Sequence, residues 1–230
     1  MNPGSDTPRL RLLIDSADTG AWDRLMPLGV FYGITTNPKL LVQSGVPCTL
    51  DSLRRLADKA FALGAGELHL QSWGESAEEL LANGRQLAAI DPRVVVKVPG
   101  TRPGYQCTRL LASEGVGITL TALYASHQAL IGMALGARYV VPYLGRMTDA
   151  GLDGLEEVVA MQAMLDAMAC PTRILLASVR RITDLVFLAR RGVGVVTLQL
   201  PLIDEFLDNP LSIQAAVDFQ ANAHSAGAYA

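Results

Sequence analysis

The sequence predicts an α/β fold, a single (β/α)8 TIM barrel with a C-terminal helix. Short apolar runs alternate with longer segments of helical period, and strict alternation of this kind specifies a parallel sheet. Eight strand–helix units of about 26 residues each nearly fill the chain, which suits a closed barrel. An open doubly wound sheet is the alternative, but it is expected to carry a glycine-rich phosphate turn after an early strand, and none is visible.

The predicted strands are runs rich in β-branched and other apolar residues, as is typical of a buried parallel sheet. In chain order they are Leu10–Ile14, Phe31–Thr35, Glu67–Gln71, Val94–Val98, Gly117–Leu123, Tyr139–Tyr143, Ile174–Ala177 and Val193–Leu198. The segments between them repeat apolar residues three and four positions apart, which indicates amphipathic helices. In the segment Leu50–Leu63 these residues are Leu53, Leu56, Ala57, Ala60 and Phe61. Glycines end several helical segments before the next strand, at Gly29, Gly64, Gly115, Gly136 and Gly192.

We interpret residues 1–230 as one domain, because the chain has 50% hydrophobic residues and can bury one large core. Residues 1–8 are predicted to be a flexible N-terminus. Residues 205–230 are predicted to form a C-terminal helical segment, whose apolar stripe lies in 211–223.

Composition excludes several classes of partner. A formal net charge of −3 gives no basic field that would attract nucleic acid or anionic lipid. The longest apolar stretches are about nine residues, too short to span a membrane. The first residues have neither the basic nor the apolar region of a signal peptide. We therefore predict a cytoplasmic protein that binds neither nucleic acid nor membrane.

Cysteine and histidine usage predicts no metal site. The three cysteines are odd in number and widely spaced, so neither a disulfide framework nor a zinc knuckle is expected. The three histidines share no metal-ligand spacing. We predict a protein that needs no metal and no other cofactor.

Lys97 is the first candidate for chemistry, because it interrupts the buried run Val94–Val98. An ammonium group that loses its hydration has a lowered pKa and becomes a nucleophilic amine. The alternative is a lysine whose stem packs among apolar residues while its charged end reaches water.

Polar residues close most of the predicted strands, at the end where parallel barrels build their active sites. They are Asp15, Thr35 with Asn37, Gln71, Lys97, Thr121, Tyr143 and Ser178. Because all of these positions lie at one end of the barrel, we expect the side chains to share one mouth.

Five short motifs together resemble the short-chain transaldolase family, which includes the fructose-6-phosphate aldolases. The resemblance runs from about Leu10 to about Ala221, and the Thr-Thr-Asn-Pro element together with a strand-borne lysine is its most specific part. The motifs are Ile-Asp-Ser-Ala-Asp at 14–18, Gly-Ile-Thr-Thr-Asn-Pro at 33–38, Val-Val-Lys-Val-Pro at 95–99, Val-Pro-Tyr-Leu-Gly-Arg at 141–146 and Leu-Ala-Ser-Val-Arg at 176–180.

The resemblance implies a (β/α)8 barrel whose Lys97 forms a Schiff base with a ketone. A protonated imine accepts the electron pair that a breaking C–C bond releases. Asp15 matches the family's acid/base aspartate, which takes the proton of the neighbouring hydroxyl. The alternative for Asp15 is a helix N-cap, a role for which Asp18 competes.

The same resemblance implies that Gln71, Thr121 and Tyr143 bind the water molecule that takes part in imine formation and hydrolysis. Glutamine can orient water but cannot accept a proton at neutral pH, so Tyr143 is expected to exchange protons. Thr121 has a second interpretation as a β-branched strand former. Gln71 together with Tyr143 favours an aldolase over a transaldolase.

The remaining candidates bind substrate. Thr35, Asn37 and Ser178 are expected to hold the hydroxyls of a dihydroxyacetone unit, and Asn37 can also begin a helix. In the family, the positions of Arg146 and Arg180 grip a sugar phosphate, for which guanidinium groups are well suited. The alternative for both arginines is ion pairing at the surface.

Three residues depart from the family pattern. Lys39 follows the Asn-Pro pair where the family commonly has a small residue, so a second cation is expected near the mouth. Trp73 is placed to narrow or shield the pocket. Gln199 interrupts the usual pattern of the last strand.

The sequence therefore predicts a class I aldolase or transaldolase that handles the dihydroxyacetone unit of ketose phosphates. We favour a fructose-6-phosphate aldolase. The alternatives are a transaldolase that passes the unit to erythrose 4-phosphate and a non-catalytic sugar-phosphate-binding barrel. The resemblance also implies a homo-oligomer, a pentamer or decamer, in which the C-terminal helix packs on a neighbouring subunit. That helix could equally close its own barrel.

Overall fold

The computed structural model describes residues 10–228, in which eight parallel strands form a closed barrel. The predicted flexible segment 1–8 lies outside these residues. The strands are β1 Arg11–Asp15, β2 Gly33–Thr35, β3 Glu67–Gln71, β4 Val94–Pro99, β5 Ile118–Leu123, β6 Tyr139–Pro142, β7 Arg173–Leu176 and β8 Val195–Leu198. Each predicted run overlaps one of them, and the (β/α)8 prediction is confirmed.

Helices alternate with the strands, and a 3-10 turn lies at Met26–Leu28. The helices are α1 Thr19–Leu25, α2 Pro38–Gln43, α3 Leu50–Ala62, α4 Ala77–Ala88, α5 Arg102–Ser113, α6 His127–Ala134, α7 Leu144–Asp149, α8 Gly154–Ala167, α9 Ile182–Ala189, α10 Leu200–Leu207 and α11 Pro210–Ser225. Short polar residues begin many of them, because a side-chain oxygen satisfies backbone N–H groups at a helix start. Ser76 and Glu79 form such a capping box at α4.

Strand register closes the barrel without an edge. Each strand pairs in parallel with the next, and β8 returns to β1 with Val195 opposite Arg11 and Leu198 opposite Ile14. All eight strands therefore point the same way, and their carboxyl ends meet at one face.

Alternation along the strands separates two apolar clusters. Val96 and Val98 belong to the larger cluster between the sheet and the helices. Val95 belongs to a smaller cluster with Tyr139 and Leu175. Because successive side chains of a strand point to opposite faces, Lys97 shares the direction of Val95 and points into the barrel.

A buried ionic cluster fills the barrel at the starts of the strands. Glu67 accepts a hydrogen bond from the guanidinium of Arg11 at 3.0 Å, and the same carboxyl oxygen forms an ion pair with Arg138 at 3.0 Å. Its other carboxyl oxygen accepts from the Tyr139 hydroxyl at 2.9 Å and lies 3.3 Å from Nε2 of His69. Burial alone would raise the pKa of Glu67, but these neighbours outweigh it and lower the pKa to about 2. The carboxylate is therefore ionised across the ordinary pH range.

The C-terminal helix α11 projects from the barrel. No residue of α11 is buried, and its large apolar side chains are exposed, with Leu211 at 81% and Phe219 at 72% of full exposure. The predicted helix is therefore present, and it does not cover the barrel of its own chain.

None of the helices in residues 10–228 combines the length and the apolar character that crossing a bilayer would require.

We predict that Glu67→Gln lowers the free energy of unfolding by about 3 kcal/mol at pH 7, because the buried Arg11 loses its counter-charge. The folded pKa of Glu67 lies below the ordinary value of 4.5, so its contribution is present above that value and is lost as the pH falls toward 2. Urea unfolding of wild type and variant between pH 7 and pH 3 measures this, and the two curves should converge on acidification.

The matched control is Glu114→Gln, which removes an exposed pair with Arg85 and should change stability little at any pH. A Glu67→Gln variant whose deficit stays constant down to pH 3 would contradict the assigned role of the carboxylate.

Candidate active site

A cavity of about 600 Å³ opens at the carboxyl ends of the strands. Its floor and walls combine residues of β1 and β4, residues of the segments that follow β1, β2, β6, β7 and β8, and residues of α2, α7 and α10. The polar residues with side chains suited to catalysis or binding are Asp15, Asn37, Lys39, Lys97, Tyr143, Arg146, Asp149, Ser178, Arg180 and Gln199. Of the polar strand ends predicted to share one mouth, Asp15, Asn37, Lys97, Tyr143 and Ser178 line this cavity.

Lys97 supplies a buried amine to this cavity. Lys97 is only 4% exposed, and its Nζ donates a hydrogen bond to the backbone oxygen of Thr36 at 2.9 Å. Burial lowers the pKa of Lys97, the negative charge of Asp15 opposes that shift, and the positive charge of Arg146 adds to it. The net direction is downward, toward a neutral amine.

Thr36 is fixed so that its carbonyl can hold the amine. Its backbone N–H donates to the oxygen of His69 at 3.0 Å, and its hydroxyl donates to the same oxygen at 3.3 Å. The lysine is thus held by a neutral acceptor. A neutral acceptor does not compete with burial as a carboxylate in direct contact would.

Asp15 is oriented by a chain of two threonines. The Thr35 hydroxyl donates to Oδ1 of Asp15 at 2.7 Å, and it lies 2.6 Å from the Thr197 hydroxyl. Because Thr35 gives its one proton to Asp15, Thr197 donates to Thr35. The carboxylate therefore keeps a fixed direction at the edge of the cavity.

Asp18 performs the capping role that the sequence also allowed for Asp15. Its carboxylate accepts from the backbone N–H groups of Gly20 and Ala21 at the start of α1. Asp15 makes no such cap, so its second oxygen remains available to the cavity.

Tyr143 follows β6 and turns its hydroxyl toward β5. That hydroxyl lies 2.9 Å from the hydroxyl of Thr121, and the Arg146 guanidinium lies 4.6 Å from the centre of its ring. Burial raises the pKa of Tyr143, and the Thr121 hydrogen bond and the Arg146 charge partly offset the rise. The phenol is therefore protonated at neutral pH and can donate.

The two arginines predicted to bind phosphate differ in their surroundings. Both line the cavity. Arg180 makes a two-pronged ion pair with Asp149, whereas Arg146 has no carboxylate within ion-pair distance among residues 10–228. Within this part of the chain the positive charge of Arg146 thus has no carboxylate partner, whereas that of Arg180 is already balanced by Asp149.

A family model described as Transaldolase/Fructose-6-phosphate aldolase matches residues 12–228. The chain belongs to this family. A protein from Caulobacter sp. (strain K31) named "Probable transaldolase" is 34% identical over 210 residues, which cover 91% of this chain and 94% of that protein. A protein of the same name from Cereibacter sphaeroides (strain ATCC 17025) is 32% identical over 213 residues, 93% of this chain and 95% of that protein.

Among solved structures, the thiamine phosphate pyrophosphorylase from Pyrococcus furiosus is similar, with a TM-score of 0.58 and 12% identity. The match covers 83% of this chain and 86% of that chain, and it shows the shared barrel fold alone. Membership of the transaldolase/fructose-6-phosphate aldolase family confirms the resemblance predicted from the motifs and identifies a transaldolase-type enzyme.

Three of the predicted site residues are not among those that line the cavity. Thr35 is fully buried and already bonded to Asp15 and Thr197, so it orients the carboxylate and does not face the cavity. Thr121 is buried and reaches the cavity only through Tyr143. Gln71 lies beside Lys97 in the register of β3 and β4, yet it is not among the residues that line the cavity.

Asn37 and Ser178 both line the cavity, as predicted. The side-chain oxygen of Asn37 accepts from the backbone N–H of Leu40 and begins α2, which leaves its amide N–H groups free to donate. Ser178 has a φ of 59°, a conformation that non-glycine residues seldom adopt and that is found at functional sites. Its carbonyl accepts from Gly145 at 2.8 Å, where a side chain would not fit.

Two residues that the motifs single out as unusual have different positions. Trp73 packs against the outer apolar cluster and lies outside the cavity lining, so it does not narrow the mouth. Gln199 lines the cavity at the start of α10. Thr36, Thr197 and Asp149 were not among the predicted site residues, because their roles depend on contacts between distant parts of the chain.

We predict opposite effects of two substitutions on the pKa of Lys97. Asp15→Asn removes a charge that raises this pKa and should lower it further, whereas Arg146→Met removes a charge that lowers it and should raise it. The pH dependence of reductive methylation of Lys97, followed by mass spectrometry, measures the midpoint, which in wild type should lie below 10.5.

The matched control is Asp58→Asn on the exposed face of α3, which should leave the midpoint of Lys97 in place. Shifts of equal sign in the two cavity variants, or a wild-type midpoint at 10.5, would contradict the assigned electrostatics.

Proposed function

We propose that the protein is a Schiff-base aldolase that cleaves or forms a C–C bond next to the ketone of a dihydroxyacetone unit. The observation that carries this proposal is the buried amine of Lys97, whose pKa is lowered, beside an oriented Asp15 carboxylate in one cavity. A non-catalytic binder would have no use for a desolvated amine, which costs folding free energy.

The reaction begins when the neutral amine of Lys97 adds to the ketone carbonyl of the substrate. Loss of water from the adduct gives a protonated imine, with a carbon–nitrogen double bond to the lysine. Asp15 then takes the proton of the hydroxyl next to the scissile bond. That C–C bond breaks, an aldehyde leaves, and the electron pair moves to the imine nitrogen as an enamine.

Turnover requires that the enamine carbon gain a proton and that water hydrolyse the imine. The Tyr143 phenol, held by Thr121, is protonated at neutral pH and is placed to exchange this proton. We assign Gln71 to orienting the water, because it lies opposite Lys97 where the adjacent strands β3 and β4 pair. Release of dihydroxyacetone frees the amine.

Substrate hydroxyls and phosphate are assigned to the remaining cavity residues. The free amide of Asn37 and the hydroxyl of Ser178 suit the hydroxyls of the dihydroxyacetone unit. Arg146 is the stronger phosphate candidate because its charge is unmatched, and Arg180 contributes less while it is paired to Asp149.

The acceptor divides the proposal into two activities. If the enamine carbon gains a proton and water then hydrolyses the imine, the enzyme is a fructose-6-phosphate aldolase. We favour this activity because Tyr143 is placed to exchange the proton and Gln71 to orient the water. Transfer to erythrose 4-phosphate makes a transaldolase, and the names of the relatives favour this second activity. A pentose phosphate role belongs to the second.

We predict that the wild type releases glyceraldehyde 3-phosphate from fructose 6-phosphate without any added aldehyde acceptor. Lys97→Met should lower the rate by at least about 1,000-fold, because the variant loses the buried amine that forms the imine. A coupled assay for glyceraldehyde 3-phosphate, run with and without erythrose 4-phosphate, measures both activities.

Lys59→Met is the matched control, because Lys59 lies on the outside of the barrel in an ion pair with Asp23. It should keep wild-type activity. Release that depends strictly on erythrose 4-phosphate would assign the transaldolase instead, and activity retained in Lys97→Met would remove the imine mechanism.

We further propose that the protein is a homo-oligomer in which α11 packs on a neighbouring subunit. Leu211, Ile213, Val217 and Phe219 on this helix are all more than half exposed, and no described part of the same chain covers them. A helix that cannot bury its apolar residues within its own chain gains stability by burying them against another.

We predict that Phe219→Glu lowers the molar mass measured by light scattering, because a charge would have to be buried in the subunit contact. Gln220→Glu, one position away on the same helix, is the charge-matched control. An unchanged mass in Phe219→Glu, or a wild type that is a monomer, would contradict this arrangement.

A further inference from the structure

With Lys97 neutral, three cations and three carboxylates line the cavity, but they are unevenly paired, and two of the cations have no carboxylate partner in the described part of the chain. Asp149 is matched by Arg180, Asp18 is held by backbone N–H groups of α1, and Asp15 faces Lys97. The cations without a paired carboxylate among these residues are Arg146 and Lys39.

Lys39 is an exposed residue of α2 that lines the same cavity. Within residues 10–228 it forms no ion pair and no hydrogen bond, unlike Lys59 and Lys97, the other two lysines of the chain. Gln43, one helical turn further on, and Ser44 also line the cavity, so Lys39 stands in a group of hydrogen-bond donors.

The fold places Lys39 and Arg146 on opposite sides of the mouth. Lys39 follows β2 and Arg146 follows β6, and in a ring of eight strands three strands separate β2 from β6 in either direction. Lys97, on β4, lies midway between them in strand order. Two unmatched cations that flank a nucleophile suit a substrate with an anionic group at each end.

We propose that Lys39, with Gln43 and Ser44, is a second anion subsite that binds a phosphate on the dihydroxyacetone side of the substrate. We place this phosphate on the dihydroxyacetone side because Asn37, the proposed ligand of the dihydroxyacetone hydroxyls, lies two residues before Lys39 at the same part of the cavity rim. The preferred substrates are then ketoses with a phosphate at both ends, and the preferred three-carbon donor is dihydroxyacetone phosphate. This inference rests on the proposed Schiff-base function.

The test traps the donor on Lys97 with borohydride and needs no aldehyde partner. Wild type is incubated with increasing dihydroxyacetone or dihydroxyacetone phosphate, reduced, and the adduct on Lys97 is quantified by mass spectrometry. The half-saturating concentration of dihydroxyacetone phosphate should be about tenfold lower than that of dihydroxyacetone, the size expected of one charge-assisted contact. Lys39→Met should remove this difference and leave dihydroxyacetone unaffected.

Lys39→Arg, which keeps the charge, should retain the preference, and Lys59→Met should match wild type for both donors. The inference is overturned if wild type traps the two donors equally, or if Lys39→Met weakens both to the same extent. Absence of any adduct on Lys97 with either donor is a separate result, because it removes the proposed function itself.

Discussion

The arrangement of the active site depends on one constraint, the removal of the amine of Lys97 from water. Lys97 is carried by a strand whose neighbouring valines are packed inside and outside the sheet, so its amine can only point into the barrel. There it meets a backbone carbonyl rather than a carboxylate, and burial lowers its pKa. The closed barrel makes this possible, because the side chains of the surrounding strands fill its interior.

The other groups of the cavity are arranged around that amine by buried contacts that hold them still. Thr197 and Thr35 fix Asp15, and Thr121 fixes Tyr143, so each reactive group has a partner behind the cavity wall. Positioned groups of this kind reduce the entropy lost on reaching the transition state. The cations at the rim do not all have such partners. Asp149 neutralises Arg180, whereas Arg146 and Lys39, on opposite sides of the mouth, have no paired carboxylate within residues 10–228.

The strands and the lysine could be predicted because they leave local signals. A run of β-branched residues interrupted by one lysine is visible without any partner, and the motif resemblance located Asp15 and Tyr143. Contacts between distant residues leave no such signal. Thr35 and Thr197 are 162 positions apart, and nothing in the motif around Thr35 shows that its hydroxyl turns to Asp15 and away from the substrate. The Arg180–Asp149 pair was hidden for the same reason.

The location of a reduced three-carbon adduct tests most directly whether Lys97 is the nucleophile. The protein is incubated with dihydroxyacetone and borohydride, digested, and its lysine peptides are compared by mass spectrometry. If the desolvated amine is the nucleophile, the adduct lies on the peptide that contains Lys97 and is absent from those of Lys39 and Lys59. An adduct spread over all three lysines, or none on Lys97, would contradict the account.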